Sequence, residues 1–144
     1  MIGRGAAGSY AALQLALANV PVIGLEADDL VHPRGAYAGE SRLFRAAYHE
    51  GSEYLPLLIE SRREWLNLQS TSERSLFLQT GVLSIGSETA PQMAQVIASL
   101  ERADVDHEVL TATELRQRFP QHSRITDEIG VFDRLGGVLR PEAA

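Results

Sequence analysis

The stretch MIGRGAAGSY at residues 1–10 decides the fold, because its glycines follow the spacing G-x-G-x-x-G. In a βαβ unit the first glycine of this pattern makes a tight turn after a strand, and the second lets the backbone approach a pyrophosphate. The third glycine allows close packing of the next helix, whose free N–H groups face the phosphates. The stretch therefore predicts a dinucleotide-binding turn, and its predicted cofactor-binding residues are Gly3, Gly5, Ala6, Ala7 and Gly8.

The segments after this turn extend the pattern. AAGSYAALQLALANV at 6–20 predicts a helix that ends near Asn19, before Pro21. VPVIGLEA at 20–27 is a short apolar run typical of a buried parallel strand. An acid about 20 residues past the glycines, at the end of the second strand, accepts hydrogen bonds from ribose hydroxyls. Glu26 is predicted to take this role.

The strand that should precede the turn is short in this sequence. Only Met1 and Ile2 come before Gly3, whereas this strand normally lies in the middle of the parallel sheet. We therefore expect the chain to be a fragment from the N-terminal part of a longer protein that starts late, within this strand, and stops early. NAD-dependent dehydrogenases share the glycine and acid pattern, so a dehydrogenase fragment stays open as an alternative. A nonenzymatic dinucleotide-binding module is a second one.

The rest of the chain alternates helices and strands, which predicts an α/β fold. A helical stripe runs through Leu55, Leu58 and Leu66, with Pro56 tolerated in the first turn. Beyond it the patterns predict strands with a bend at Gly81, a helix over 88–105 capped by Thr89, a strand over 107–111, a helix over 112–120 capped by Thr111 or Thr113, and strands over 129–133 and 136–141.

A second motif lies in GAYAGESRLFRAAYHEGSEYLPLLIESRREW, residues 35–65. It places Arg42 and Arg45 three residues apart, at what the pattern predicts to be the entry of a helix. Two guanidinium groups on one helix face would offer planar pairs of donors suited to a carboxylate or a phosphate. The alternative is that both arginines are solvated and pair with Glu40 or Glu50.

Together, these motifs resemble the monomeric sarcosine oxidase and N-methyltryptophan oxidase family of FAD-dependent amine oxidases. The resemblance covers the whole chain: it includes the glycine turn and the segments 39–57, 80–86 and 130–144. It implies FAD as cofactor and a Rossmann-type FAD-binding domain that here lacks most of its first strand. The implied domains are the N-terminal part of the FAD-binding domain at 1–75, part of a mixed α+β substrate domain at 76–134, and a return to the FAD-binding domain at 135–144.

The resemblance also implies a reaction. Arg42 is similar to the family arginine beside the flavin, so the resemblance assigns it to both the cofactor-binding and the catalytic residues. Arg45 is similar to the family arginine that binds the substrate carboxylate, and it is assigned to the catalytic residues. An N-methylated amino acid held by Arg45 would turn its N-methyl carbon toward the flavin. The flavin would take a hydride equivalent and pass the electrons to oxygen. The partners expected are therefore a small amine and oxygen, and a monomer is expected for the full-length family.

Three departures limit what the resemblance implies. Tyr37 and Ala38 stand where sarcosine oxidases have a histidine pair, so the preferred amine stays open. The family's flavin-linked cysteine and its oxygen-activating lysine are residue types that this sequence does not contain. We therefore expect no amine turnover from this chain alone, and an aggregating, nonfunctional fragment stays open as a further alternative.

Composition excludes several other classes. The net charge of −6 argues against nucleic-acid binding, which needs clustered positive charge. Without cysteine there can be no disulfide or thiolate nucleophile. No apolar run has the length of a membrane span or the form of a signal peptide, so we expect a cytoplasmic protein without membrane contact. No metal site is predicted, because the four histidines are scattered without ligand spacing: His32, His49, His107 and His122.

Overall fold

The structure is a computed structural model that describes residues 1–29, 31–48, 51–122 and 124–144. The chain forms two compact units. The first unit is Met1–Arg42 with Arg140–Ala144, and the second unit is Leu43–Leu139. These boundaries differ from the predicted domain limits after residues 75 and 134, and the roles assigned to those domains stay predictions. The predictions that concern His49 and Glu50 lie outside the described residues.

In the first unit, helix α1 spans Ala6–Leu17, as the sequence predicts. A short 3₁₀ helix at Pro141–Ala143 begins with proline, which has no N–H to lose at a helix start. The backbone N–H of Gly39 donates to the Glu142 carboxylate at 2.5 Å and joins this last segment to the loop before residue 42.

The predicted buried strand at 20–27 is wrong. The structure has a single parallel bridge there, between Ile2 and Leu25. Ile23 is 78% exposed and Leu25 is 59% exposed. No residue of α1 is buried either, so this helix does not cover the apolar run. An apolar run becomes a buried strand only when neighbouring strands and helices cover it.

Apart from Arg42, the first residue of β1, the remaining described helices and strands belong to the second unit. Its two three-stranded sheets have the strand orders β1-β6-β2 and β3-β5-β4. The pairs β2–β6, β3–β5 and β4–β5 are antiparallel. The elements are β1 Arg42–Phe44, α2 Leu55–Ser70, β2 Phe77–Leu78, β3 Val82–Ser87, α3 Pro91–Arg102, β4 His107–Leu110, α4 Ala112–Arg118, β5 Glu128–Asp133 and β6 Gly137–Leu139, with a 3₁₀ turn at Ser52–Tyr54 before α2.

The core of the second unit follows the predicted amphipathic pattern of α3. Met93, Val96 and Leu100 are buried on one face of this helix and pack in the same cluster as Val131 of β5. A second apolar cluster lies on the other sheet, where one residue of each strand is buried: Phe44, Phe77 and Leu139. Helix α2 packs against this cluster through Leu58, Trp65 and Leu66. Burial of these side chains supplies most of the driving force for folding.

Two predicted helix caps have different outcomes. Thr111 caps α4 in a capping box, because its hydroxyl accepts the Glu114 N–H and the Glu114 carboxylate accepts the Thr111 N–H. Thr89 does not cap α3: the helix begins at Pro91, and the Thr89 hydroxyl lies 3.0 Å from that of Ser87. The predicted bend is confirmed, with Gly81 at a φ of 73° between β2 and β3.

No helix within the described ranges is long and apolar enough to cross a bilayer.

Candidate functional site

The glycine turn of the first unit has the backbone geometry that its motif predicts. Gly3 has a φ of 87°, a conformation that favours glycine. Its N–H donates to the Leu25 carbonyl at 2.9 Å, and the Leu25 N–H donates to the Met1 carbonyl at 2.9 Å. The chain thus turns sharply beside residue 25 and enters α1 at Ala6.

The start of α1 suits an anion. Gly5 is the N-cap, no side-chain hydrogen bond caps the helix, and no acidic residue stands in its first turn. The first N–H groups of a helix have no partner within the helix and carry a partial positive charge. A phosphate is the ligand that such a terminus favours.

The glycines also differ in the space around them. A Cβ on Gly8 would overlap the carbonyl oxygen of Gly3, so helix and turn approach too closely for any side chain there. A Cβ on Gly5 would lie 3.8 Å from the Tyr37 ring, which is ordinary contact. Gly8 therefore serves packing, whereas the backbone at Gly5 is accessible.

Glu26 lies against the glycine turn. Its carboxylate accepts the Arg4 N–H at 2.6 Å and the Ala27 N–H at 2.8 Å. The hydrogen bond from the Arg4 backbone is the main reason why the pKa of Glu26 is lowered from its usual value. A carboxylate has about four acceptor positions, so further donors can bind beside these two. The structure thus brings the predicted ribose-binding acid and the predicted phosphate turn together.

A mixed cluster surrounds this acid. Ligand-type atoms of Glu26, Asp28 and His32 lie within 4.8 Å of one another. Sequence reasoning missed this grouping, because the three residues follow no regular ligand spacing. Arg34 already engages two of them: its guanidinium pairs with Asp28 at 2.8 Å, and its N–H donates to His32 Nδ1 at 3.1 Å. We assign these contacts to the folding of the loop, and the expected absence of a metal stays a prediction.

Arg42 belongs to the first unit and is exposed. Its guanidinium donates to the Ser41 carbonyl at 2.7 Å and lies over Gly39, where a Cβ would be 2.8 Å from Arg42 Nη1. The predicted helix face shared with Arg45 does not form, because residues 42–44 are strand β1. The burial of Phe44 in its apolar cluster favours the strand. Side chains three residues apart are neighbours on a helix but not on a strand.

Arg45 follows β1 in the second unit and is half-buried. Its guanidinium carbon lies 5.4 Å from the centre of the Tyr48 ring. The Tyr48 ring meets the Tyr54 ring edge-on, with 5.7 Å between their centres. A guanidinium over an aromatic face is attracted by the ring and oriented by it. The Tyr48 ring therefore limits the orientations of the Arg45 guanidinium, a planar donor group of the kind that binds carboxylates.

Sequence reasoning missed the buried acid nearest to this arginine segment. Asp133 ends β5 and is fully buried, and it accepts the N–H groups of Ala46 and Ala47. An acidic residue at the end of an apolar strand was the signal that could have identified it.

A model of the family described as FAD dependent oxidoreductase matches residues 1–144. The chain belongs to this family. Among its curated relatives, it is 35% identical over 144 residues to the peroxisomal sarcosine oxidase of Mus musculus and 34% identical over 142 residues to the monomeric sarcosine oxidase of Streptomyces avermitilis. It is 32% identical over 144 residues to the N-methyl-L-tryptophan oxidase of Salmonella arizonae. These matches cover 99–100% of this chain, but the chain spans only 37–39% of the length of these relatives.

Solved structures of two oxidases share the fold. NikD, described as an unusual amino acid oxidase essential for nikkomycin biosynthesis, matches with a TM-score of 0.82 and 26% identity over 99% of this chain and 37% of its own. Glycine oxidase from Bacillus cereus matches with a TM-score of 0.72 and 22% identity over 99% of this chain and 40% of its own, which shows the fold alone.

These findings confirm the resemblance inferred from the sequence and the family cofactor, FAD. They also confirm the mixed α/β fold and the oxidoreductase class of the family, whose relatives are named sarcosine oxidase and N-methyl-L-tryptophan oxidase. The roles of Gly3, Gly5, Gly8 and Glu26 toward the cofactor stay predictions, as do those of both arginines.

Proposed function

We propose that this chain supplies the cofactor-binding turn and the substrate-binding arginine for FAD-dependent oxidation of a secondary amine. The amine is an N-methylated amino acid, and oxygen is the electron acceptor. One observation carries the cofactor part of the proposal: the Glu26 carboxylate is hydrogen-bonded to the backbone N–H of Arg4, inside the G-x-G-x-x-G turn. The acid and the glycines therefore act on one ligand.

The first unit fits a dinucleotide in three respects. Gly3 makes the turn with a left-handed backbone, Gly8 permits the close approach of α1, and the start of α1 offers N–H groups to a pyrophosphate. Glu26 would accept hydrogen bonds from the ribose hydroxyls. Ile2 and Leu25 form a parallel bridge, and α1 connects the two segments that carry them. This order supports a Rossmann-type β-α-β beginning for the unit.

The second unit supplies the group for the substrate. FAD, when bound, supplies the first electron acceptor for oxidation of the carbon next to nitrogen, and oxygen is the final one. Arg45 would bind the substrate carboxylate through its planar pair of donors, and the Tyr48 ring limits the orientations that its guanidinium can adopt. Fixing the carboxylate fixes the position of the amine, which is how binding energy serves orientation. Arg42, with an exposed guanidinium, is proposed to lie beside the flavin ring.

The first test is a titration of the purified chain with FAD, with NAD as control. Flavin fluorescence reports binding, and the far-UV circular dichroism recorded with it reports folding. We expect saturable binding of FAD and no saturable binding of NAD. Equal binding of both would favour an NAD-type site, and a folded chain that binds neither would contradict the proposed cofactor site.

A further inference from the structure

Asp133 is a buried acid that the proposed function does not use. Its exposed fraction is 0%, and it stands at the end of β5. Burying such a group is costly unless its oxygens receive hydrogen bonds. Here each oxygen accepts two backbone N–H groups: Oδ2 those of Ala46 at 2.5 Å and Ala47 at 3.0 Å, and Oδ1 those of Leu135 at 2.9 Å and Gly136 at 3.1 Å.

The four donors come from two segments that are far apart in the sequence. Ala46 and Ala47 directly follow Arg45, outside any helix or strand. Leu135 and Gly136 form the turn between β5 and β6. The Asp133 carboxylate therefore accepts the N–H groups that follow Arg45, as the carbonyls of a neighbouring strand would, and it connects this backbone to β5.

A packing contact also fixes the backbone before Arg45, at Phe44. A Cβ on Gly136 would lie 3.1 Å from the carbonyl oxygen of Phe44 and 2.6 Å from Val82 Cγ2. The turn after β5 thus approaches the backbone just before Arg45 closely, and Phe44 itself is buried. Residues on both sides of Arg45 are fixed, whereas its own side chain is only half-buried.

We propose that Asp133 is a positioning residue for Arg45. By holding the N–H groups of Ala46 and Ala47, it sets the backbone direction from which the guanidinium reaches the Tyr48 ring and a carboxylate ligand. This inference rests on the proposed role of Arg45 as the carboxylate-binding residue. It adds to that role a buried acid that does not touch the ligand.

The test is NMR spectroscopy of the 144-residue chain with three readouts. They are amide hydrogen exchange, ¹⁵N relaxation of the Arg45 Nε–H, and the shift of that signal during titration with N-methylglycine. Asp133→Asn keeps the size of the side chain but replaces one acceptor oxygen by a donor. Asp106→Asn is the matched control, because Asp106 is an exposed acid of the same unit that pairs with Arg134.

We expect Asp133→Asn to speed exchange at Ala46 and Ala47 by about tenfold more than at Val131, because the Asp133 side chain accepts these two amides and not that of Val131. The Arg45 Nε–H should become more mobile, and the apparent affinity for N-methylglycine should fall about fivefold or more. Asp106→Asn should change none of these. Equal acceleration at Ala46, Ala47 and Val131, or an unchanged Arg45 signal, would overturn the positioning role.

Two further outcomes keep the inference separate from the proposed function. If N-methylglycine does not shift the Arg45 signal of the unmodified chain, the carboxylate role fails, and the relaxation of Arg45 Nε–H in Asp133→Asn still decides on positioning. If Asp133→Asn does not fold, the unmodified chain decides. Its Ala46 and Ala47 amides must then exchange about as slowly as Val131, and exchange about a hundredfold faster would overturn the inference.

Discussion

The two units of this chain differ in where their apolar residues lie. In the first unit, α1 has no charged residue and no buried residue, and Ile2 is 89% exposed. In the second unit, Leu100, Leu115 and Val131 are 0% exposed. The glycine turn and Glu26 therefore belong to the unit with little core, and Arg45 belongs to the unit with a packed one. A short motif can form a ligand-binding turn from local hydrogen bonds, but stability comes from buried surface.

The largest effect that follows is a difference between two leucine substitutions. Leu100→Ala removes a fully buried side chain of the second unit and should lower the free energy of unfolding by about 2–5 kcal/mol. Leu17→Ala, at a leucine 68% exposed on α1, should change it by less than about 0.5 kcal/mol. Urea unfolding followed by circular dichroism measures both. Equal losses would show that α1 is packed, contrary to the comparison.

A smaller effect separates two glycines of the turn. Gly8→Ala places a Cβ against the Gly3 carbonyl oxygen and should destabilise the first unit by about 1–3 kcal/mol. Gly5→Ala meets only the Tyr37 ring at 3.8 Å and should leave the unit folded. Protection of the Gly3 N–H, which donates to Leu25, reports the difference by hydrogen exchange. The comparison would need revision if Gly5→Ala lost this protection and Gly8→Ala kept it.

The smallest effect is a matched pH response in the two units. Hydrogen bonds from the backbone of Arg4 and of Thr111 lower the pKa of Glu26 and of Glu114, respectively. Each group therefore adds stability at pH values above the ordinary glutamate pKa, and this stability is lost as the pH falls through the lowered pKa of the folded state. We expect acid to release the Arg4 amide in the first unit and to fray α4 in the second.

Glu26→Gln and Glu114→Gln are the controls for this response. Each should abolish the acid-induced change in its own unit only, as read from amide exchange at Arg4 and at Thr111 between about pH 6 and pH 3. A response at Arg4 that persists in Glu26→Gln would mean that another group titrates there.

Features fixed by neighbouring residues could be predicted from the sequence. The helix cap predicted at Thr111 or Thr113 and the bend predicted at Gly81 depend on residues close in the chain, and both features are confirmed, with Thr111 as the cap. The glycine turn with Glu26 beside it could also be predicted, because its spacing follows from one β-α-β connection.

Features fixed by distant residues could not be predicted. Residues 42–44 form a strand and not a helix because Phe44 packs against Phe77 and Leu139, which no local pattern reveals. The run at 20–27 is apolar enough for a buried strand, but burial depends on covering partners. The position of Asp133 at the end of an apolar strand is visible in the sequence, but its partners are not, since two of its four hydrogen bonds join it to residues 86 and 87 positions away.

The central claim is that Glu26 and the glycine turn bind FAD together, and the affinity of Glu26→Gln for FAD tests it most directly. Glutamine keeps an acceptor for the Arg4 N–H but removes the charge and one acceptor oxygen. Asp29→Asn, an exposed acid of the same loop, is the matched control. The account predicts that Glu26→Gln binds FAD about tenfold more weakly than the unmodified chain, and that Asp29→Asn stays within about twofold of it. Equal FAD affinity of a folded Glu26→Gln and the unmodified chain would contradict the claim.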